Sequence, residues 1–187
     1  MIRLMMSGKA RSRWWQLVGL GLLGGCQTAP PSYPTVQVSR TISGNSIEWV
    51  DKSQQPPMLQ QGRLIGIDAP DLGQEPWGKQ AKQRLEELIG TAGKGSVSIE
   101  LDGAEADKYG RKYVYLWKDG RLLNQELIED GYVLAITRSG ATGNARGIKY
   151  RDRFIQGSQY ARIMGVGIWN PERPMRMSPS QFRKEER

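Results

Sequence analysis

Histidine is absent from this chain of 187 residues, and cysteine occurs once, at position 26. Without histidine the chain cannot use an imidazole base, a histidine metal ligand or a Ser-His-Asp triad. The single cysteine excludes internal disulfides and cysteine-based zinc sites, so a bound metal would have to be a hard cation on oxygen ligands, calcium or magnesium. Any hydrolysis must therefore rely on carboxylates, arginines and metal-bound water.

The formal net charge of +8 overstates the basic character of most of the chain. The first 25 residues contain four of the 27 basic residues and no acid, so the remainder has 23 basic and 19 acidic residues, a surplus of +4. This surplus suits a polyanionic partner through phosphate neutralisation, but an ordinary solvated surface has it equally often. The length and the 38% apolar content predict one compact domain with tails.

The N-terminus has the order of a signal peptide. Residues 1–13 are basic, residues 14–23 form a short apolar run, and Leu23-Gly24-Gly25-Cys26 follows directly. A membrane-spanning helix needs about 20 apolar residues, so this run is too short to remain as a span. The tetrapeptide resembles the lipobox of bacterial lipoproteins, in which the cysteine is lipidated and becomes the new N-terminus. The alternative is an uncleaved stretch with an incidental cysteine.

These features divide the chain into four predicted parts. Residues 1–25 are a lipoprotein signal peptide, and residues 26–34, with three prolines, are an extended tether. Residues 35–170 form the domain, and residues 171–187, which have little apolar pattern, form a loose C-terminal tail. We expect a monomer anchored to the membrane through lipidated Cys26, in the cell envelope and facing the periplasm or exterior. Gln27 after the cysteine indicates the outer membrane in a Gram-negative host.

The sequence pattern of the predicted domain indicates short strands interleaved with three helices. Strands are predicted at residues 36–42, 47–50, 62–67, 97–101, 112–117 and 132–136, from their β-prone or alternating patterns. Helices are predicted at residues 77–89, between Pro76 and Gly90, at a short segment that Asn124 caps, and at about 150–164, before Gly165. Short strands with packed helices favour an α+β fold, an OB-fold five-stranded barrel with three helices.

Three local motifs carry the candidate chemistry, in this order along the chain: Ser43-Gly44-Asn45-Ser46, then residues 63–71 (RLIGIDAPD), then Asp107-Lys108-Tyr109-Gly110-Arg111. Together they resemble the staphylococcal nuclease (thermonuclease) family, over roughly residues 35–169. The third motif matches in full, and Gly165 to Trp169 is similar to the family's Gly-x-x-Trp ending. The resemblance implies a nuclease of OB-fold architecture that acts on DNA or RNA.

The chemistry of the motif residues fits phosphodiester hydrolysis. A phosphodiester gains negative charge as water attacks, so a catalyst needs cations at the phosphoryl oxygens and a group that orients the water. The planar fork of arginine donates two hydrogen bonds to one phosphate, and Arg63 and Arg111 are the motif arginines. Taken alone, however, Arg63 is better explained as a strand residue paired with an acid than as a catalytic residue, and Asp68-Ala69-Pro70 can be only a turn.

The resemblance also implies a role for each motif residue. Residues that match Arg63 and Arg111 contact the scissile phosphate in the family, and the acid that matches Asp71 orients or deprotonates the attacking water. Lys108 and Tyr109 match residues that hold a terminal phosphate. The calcium ligands match Asp68, Asn45 and the backbone carbonyl of Ala69; magnesium is the alternative metal.

Two departures from the family pattern bear on activity. The first motif is normally Asp-Gly-Asp-Thr, so Ser43 and Asn45 stand where carboxylates are usual. Because calcium affinity depends on the number of charged ligands, we expect weakened metal binding. Asp71 stands in place of the usual Glu, which draws the carboxylate back by about one carbon–carbon bond, and misplacement by about 1 Å can reduce a rate roughly a hundredfold.

These observations leave three functions open. The first is a metal-dependent nuclease outside the cytoplasm. The second is a catalytically weakened lipoprotein that binds oligonucleotides in the same groove without turnover. The third, an envelope protein that uses the barrel for protein contacts, explains the tether but not the complete third motif.

Overall fold

A computed structural model of the chain describes residues 32–137 and 147–186. Within them are eight strands: β1 (Thr35–Ser43), β2 (Ser46–Asp51), β3 (Met58–Leu64), β4 (Ile67–Asp68), β5 (Ser96–Ala106), β6 (Lys112–Lys118), β7 (Arg121–Leu122) and β8 (Leu134–Ala135). The α-helices are α1 (Trp77–Ile89), α2 (Leu123–Glu129), α3 (Arg151–Met164) and α4 (Pro179–Glu185). The predicted signal peptide, Cys26 and most of the tether lie outside the described residues.

Five strands close into a barrel. The antiparallel order is β3-β2-β1-β5-β6, and a parallel pairing of β3 with β6 joins the two ends. Buried side chains from all five strands fill the interior, among them Val38, Ile47, Leu64, Ile99 and Leu116. This confirms the predicted α+β fold with a five-stranded OB-fold barrel. Its helices number four within the described residues, one more than predicted.

Closure of the barrel brings the three sequence motifs together. Strand β3 lies between β2 and β6, so Arg63 pairs with Ser46 on one side and with Tyr113 on the other. Ser46 ends the first motif, and Tyr113 follows the last residue of the third motif by two positions. Neighbours in a sheet lie about 5 Å apart, so three motifs spread over residues 43–111 of the chain meet at one end of β3.

Helix α1 packs against the barrel as its spacing predicts. Ala81, Leu85 and Ile89 are fully buried, and the helix ends at Gly90, whose φ of 80° favours glycine. The turn of the first motif lies directly on this helix, since a Cβ at Gly44 would come within 2.6 Å of the Ala81 Cβ. The β1–β2 turn can approach α1 this closely only without a side chain at residue 44.

The strand predicted at residues 62–67 is interrupted. Gly66 has a φ of +78°, and a Cβ there would lie 2.2 Å from the Phe154 ring of α3. The chain therefore turns after β3, and the short β4 pairs with β8 instead of continuing along the barrel. This break separates Asp68 and the following loop from the barrel strand β3.

Asn124 does not cap α2, so that prediction is wrong. The residue lies inside the helix and is fully buried; its Nδ2 donates to the Ile65 carbonyl oxygen (2.9 Å), and its Oδ1 accepts from the Leu116 backbone N–H (3.0 Å). An amide can satisfy a donor and an acceptor at once, so Asn124 links the backbone at Ile65 to the backbone of β6 at Leu116. Burial of the side chain against the backbone of Ile65 and Leu116 prevails over the local capping preference.

The C-terminal segment also differs from the loose tail that its sequence predicts. Residue Ser178 forms a capping box with Gln181 at the start of α4. The buried Gln74 donates from Nε2 to the Met177 carbonyl oxygen at 2.7 Å, which ties this segment to the loop before α1. None of the helices within residues 32–137 and 147–186 is long and apolar enough to cross a bilayer.

Candidate active site

A cleft of about 720 Å³ opens at the end of β3 where the three motifs meet. The predicted site residues that line it are Asn45, Arg63, Ala69, Asp71, Lys108, Tyr109 and Arg111. Asp68 lies in an adjoining cavity of about 380 Å³, which shares Arg63 and Arg183 with the cleft. The structure thus brings the predicted residues together, except for Cys26, which lies outside the described part of the chain.

Arg63 lines the cleft without a hydrogen-bond or ion-pair partner among the described residues. Burial lowers the pKa of its guanidinium below the ordinary arginine value, and the positive charge of Arg111 adds to this effect, while Asp68 opposes it. The guanidinium forms no hydrogen bond or ion pair with any residue of 32–137 or 147–186. An arginine remains protonated in proteins, so Arg63 keeps an incompletely solvated positive charge available to an anion.

Arg111 is held by Asp107. Its Nε donates to Asp107 Oδ2 at 2.7 Å, and its Nη1 donates to Ser46 Oγ at 3.3 Å. The other Asp107 oxygen accepts from the backbone N–H groups of Tyr109 (2.9 Å) and Arg111 (3.0 Å). Burial raises the pKa of Asp107, but these hydrogen bonds outweigh burial and lower it below the ordinary value. Asp107 therefore fixes both the loop and the arginine.

Lys108 and Tyr109 form the outer wall of the cleft. The Tyr109 side chain is exposed, and the Lys108 ammonium lies 4.9 Å from the centre of its ring. The Arg111 guanidinium lies 5.3 Å from the same ring. Two cations around one exposed aromatic ring can receive both a phosphate and a stacked base.

Asp71 lies on an exposed loop whose backbone is tightly fixed. Its carbonyl oxygen accepts from the Gln74 N–H at 2.8 Å, and the Gln74 carbonyl accepts from Gly78 N–H in α1 at 2.9 Å. A Cβ at Gly78 would lie 1.8 Å from the Asp71 carbonyl oxygen, so only glycine permits this approach. The Asp71 carboxylate has no hydrogen-bond or ion-pair partner among the residues described and is free to accept a proton or a water.

Asn45 is buried and already hydrogen-bonded. Its Oδ1 accepts from the hydroxyls of Ser43 (3.1 Å) and Ser46 (3.2 Å). The carbonyl oxygen that the resemblance offers to a metal is therefore engaged by two donors. Ser46 also receives the bond from Arg111, which links the first and third motifs through one hydroxyl.

The remaining predicted metal ligands contact an arginine from the C-terminal helix. Arg183 Nη2 donates to Asp68 Oδ1 at 2.7 Å, and Nη1 donates to the Ala69 carbonyl oxygen at 3.5 Å. Within residues 32–137 and 147–186 there is no group of three or more acidic, cysteine or histidine side chains that could hold a metal ion. With one carboxylate, and that one paired with a cation, this donor set as arranged does not fit a divalent ion.

Sequence reasoning missed the roles of Asp107, Ser46 and Arg183. Asp107 begins the third motif, and its position four residues before Arg111 could have indicated their ion pair. Ser46 could have been found only from the strand register that places it beside Arg63. No local signal marks Arg183, because it is one of several basic residues in a segment without apolar pattern and lies 115 positions from its partner Asp68.

Comparison with known proteins gives consistent matches. Residues 61–171 match the model of a family described as staphylococcal nuclease homologue. The chain is 28% identical over 141 residues to a protein named thermonuclease from Staphylococcus hyicus, covering 73% of this chain and 76% of that protein. It is 31% identical over 137 residues to a thermonuclease from Staphylococcus intermedius, covering 71% and 74%. It is 28% identical over 141 residues to endonuclease YncB from Bacillus subtilis, covering 72% of this chain but 61% of the relative.

Proposed function

The chain belongs to the staphylococcal nuclease family, and we propose that it hydrolyses phosphodiester bonds of DNA or RNA in the cleft at the end of β3. The observation that carries this proposal is that one cleft combines Arg111, which Asp107 holds, with a partly buried Arg63 and an Asp71 carboxylate that have no partner within residues 32–137 and 147–186. A buried cation without a partner costs stability, so its presence is best explained by an anionic ligand.

The reaction needs three contributions from the chain. Arg63 and Arg111 donate hydrogen bonds to the non-bridging phosphoryl oxygens, whose negative charge grows as the transition state forms. Asp71 orients the attacking water and accepts one of its protons while the water oxygen forms a bond to phosphorus. The bond from phosphorus to the leaving oxygen breaks, solvent protonates that oxygen, and Asp71 returns its proton to solvent. The products are a phosphate monoester and an alcohol.

Lys108 and Tyr109 are proposed to hold the neighbouring part of the strand. A phosphate beside the Lys108 ammonium would be neutralised, and a base can stack on the exposed Tyr109 ring. We propose this reaction without a metal ion, because the donors that the resemblance assigns to calcium or magnesium are engaged by Ser43, Ser46 and Arg183. The family resemblance predicts a calcium requirement and the engaged donors argue against one, so the assay below is run in calcium, in magnesium and in chelator.

The rival function is binding of oligonucleotides without turnover. It rests on Ser43 and Asn45, where carboxylates are usual in the family. The relatives reported above are all named as nucleases, which favours turnover. The unpaired Arg63 suits either function, so an assay must separate them.

The deciding assay incubates the purified chain with labelled single-stranded DNA and RNA, in calcium, in magnesium and in chelator. We expect shortened products with at least one of the substrates, because the phosphate-binding arginines and the free carboxylate share one cleft. The double variant Arg63→Ala, Arg111→Ala, purified in parallel, controls for contaminating nucleases. Tight binding of intact substrate with no product under any condition would establish the rival.

The location of this activity is proposed from the N-terminus. We propose that Cys26 is lipidated and anchors the domain on the outer face of a membrane, in the cell envelope. Cys26→Ser should abolish lipidation and leave the protein uncleaved or released, because the anchoring thiol is lost. Mass spectrometry of the membrane fraction reads this out: an unmodified Cys26 in the native protein would refute the anchor, and Cys26→Ala should behave like Cys26→Ser.

A further inference from the structure

The guanidinium of Arg183 lies on two of the oxygens that the resemblance assigns to a metal ion. It donates to the Asp68 carboxylate at 2.7 Å and approaches the Ala69 carbonyl oxygen at 3.5 Å. We propose that Arg183 takes the place of a divalent cation in this cleft, neutralising Asp68 and supplying a third arginine charge to the substrate phosphate. This inference rests on the proposed phosphodiesterase function and specifies how that site is charged.

The local charges balance without a metal. Asp68 contributes one negative charge, Asn45 contributes none, and Arg183 contributes one positive charge. A divalent ion at Asp68 would have to displace the guanidinium from a carboxylate whose side chain is only 13% exposed. The ion would gain only one charged ligand in return, the Asp68 carboxylate. Calcium affinity depends on the number of charged ligands, so this site would bind it weakly. A neutral residue at position 45 therefore suits a site in which Arg183 neutralises Asp68. A carboxylate at position 45 would instead add a second charged ligand and favour a metal ion.

Helix α4 holds Arg183 in this position. The helix begins with the Ser178–Gln181 capping box, and the preceding Met177 is tied to the buried Gln74. On the same helix the Phe182 ring lies beside the loop glycine Gly73, about 3.8 Å from where its Cβ would be. These contacts are made with the loop that also carries Asp71, so the same loop positions both the Arg183 guanidinium and the Asp71 carboxylate.

Arg183 retains donors for a phosphate. A guanidinium has five N–H groups, and the two bonds described above use two of them. The side chain is 37% exposed and lines both the main cleft and the adjoining cavity, each of which also contains Arg63. The positive charge of Arg183 contributes to the lowered pKa of Arg63, as expected for two cations that line the same two cavities. A phosphate bound there would relieve their repulsion.

Five forms of the full chain test this proposal: wild type, Arg183→Gln, Arg183→Lys, Lys184→Gln, and the double variant that combines Asn45→Asp with Arg183→Gln. Lys184 is the exposed neighbour on α4 and loses the same charge outside the cleft. Three quantities are measured: the calcium dependence of the melting temperature, the affinity for labelled single-stranded DNA in chelator, and the cleavage rate in chelator. The first two do not depend on turnover.

We expect calcium to leave the melting temperatures of wild type and Lys184→Gln unchanged, and to raise that of the double variant saturably. In chelator, Arg183→Gln should bind DNA severalfold more weakly and cleave at least about tenfold more slowly than wild type, since one phosphate-facing donor is lost. Arg183→Lys should retain the calcium insensitivity and part of the DNA affinity. Lys184→Gln should match wild type in all three measurements.

Two results would overturn the proposal. One is saturable stabilisation of wild type by calcium equal to that of the double variant, which would show that the ion binds with Arg183 present. The other is equal DNA affinity in chelator for wild type and Arg183→Gln. Failure of every form to cleave would refute the proposed function instead, and calcium response and DNA affinity would still decide the role of Arg183.

Discussion

Replacing Arg63 with alanine is expected to lower the cleavage rate at least about a hundredfold without lowering the melting temperature. The rate falls because one preorganised donor to the phosphoryl oxygens is removed, a loss that typically costs two to three orders of magnitude. The fold is spared because the guanidinium makes no bond to the described residues, while burial and the charge of Arg111 disfavour it. Loss of rate with unchanged or increased stability identifies a residue retained for function.

The substitution Arg111→Ala distinguishes the role of Arg111 from that of Arg63, because the two substitutions are expected to differ in their effect on stability. We expect a similar loss of rate, but with a lower melting temperature, because the substitution leaves Asp107 buried without its ion pair, and removal of one partner of such a pair typically costs about 3 kcal/mol. Steady-state kinetics and thermal denaturation of both variants provide the comparison, with Arg121→Ala as an exposed control outside the cleft. Full activity in Arg63→Ala would remove the proposed site.

The sequence predicts the parts of this molecule that depend on local pattern. The α1 helix follows from the spacing of Ala81 and Leu85 and from its flanking Pro76 and Gly90. The β1–β2 hairpin follows from a turn-rich tetrapeptide between two β-prone runs. In both cases, neighbouring residues alone determine the result.

Features that depend on distant partners escape sequence reasoning. Asn124 has the chemistry of a cap, yet burial against the Ile65 and Leu116 backbones determines its role. The sequence pattern predicts that Gly66 belongs to a strand. The strand is interrupted there, and Phe154, 88 positions later in the chain, occupies the space beside Gly66. Arg183 belongs to the same class, since its ion pair with Asp68 exists only once α4 docks on the loop before α1.

The same distinction applies to the candidate site. The motifs identify which residues have the right chemistry, and the strand register explains why they meet, but neither reveals which charges are already paired. Arg111 and Arg63 look equivalent in sequence, whereas Asp107 holds Arg111 and no residue in the described part of the chain pairs with Arg63. The state of pairing separates a charge that supports the fold from one available to substrate.

Asp71→Asn is expected to lower kcat about a hundredfold or more, with little change in KM. A positioned general base typically contributes two to four orders of magnitude in rate, and the amide keeps the shape of the side chain while removing its capacity to accept a proton. KM should change little because Lys108, Tyr109 and the two motif arginines, which hold the substrate in the proposed function, remain in place. Steady-state kinetics on labelled DNA separate the two parameters.

Asp71→Glu completes the test, because it moves the carboxylate outward by about one carbon–carbon bond while keeping its charge. If the native carboxylate is set too far from the water, this variant should exceed wild type in kcat. Glu75→Gln, a neutralised acid on the same exposed loop and outside the cleft, should leave both parameters unchanged. A fully active Asp71→Asn would show that Asp71 is not the proton acceptor. Slower cleavage by Asp71→Glu would mean instead that the loop fixed by Gly78 already places the shorter side chain at the working distance.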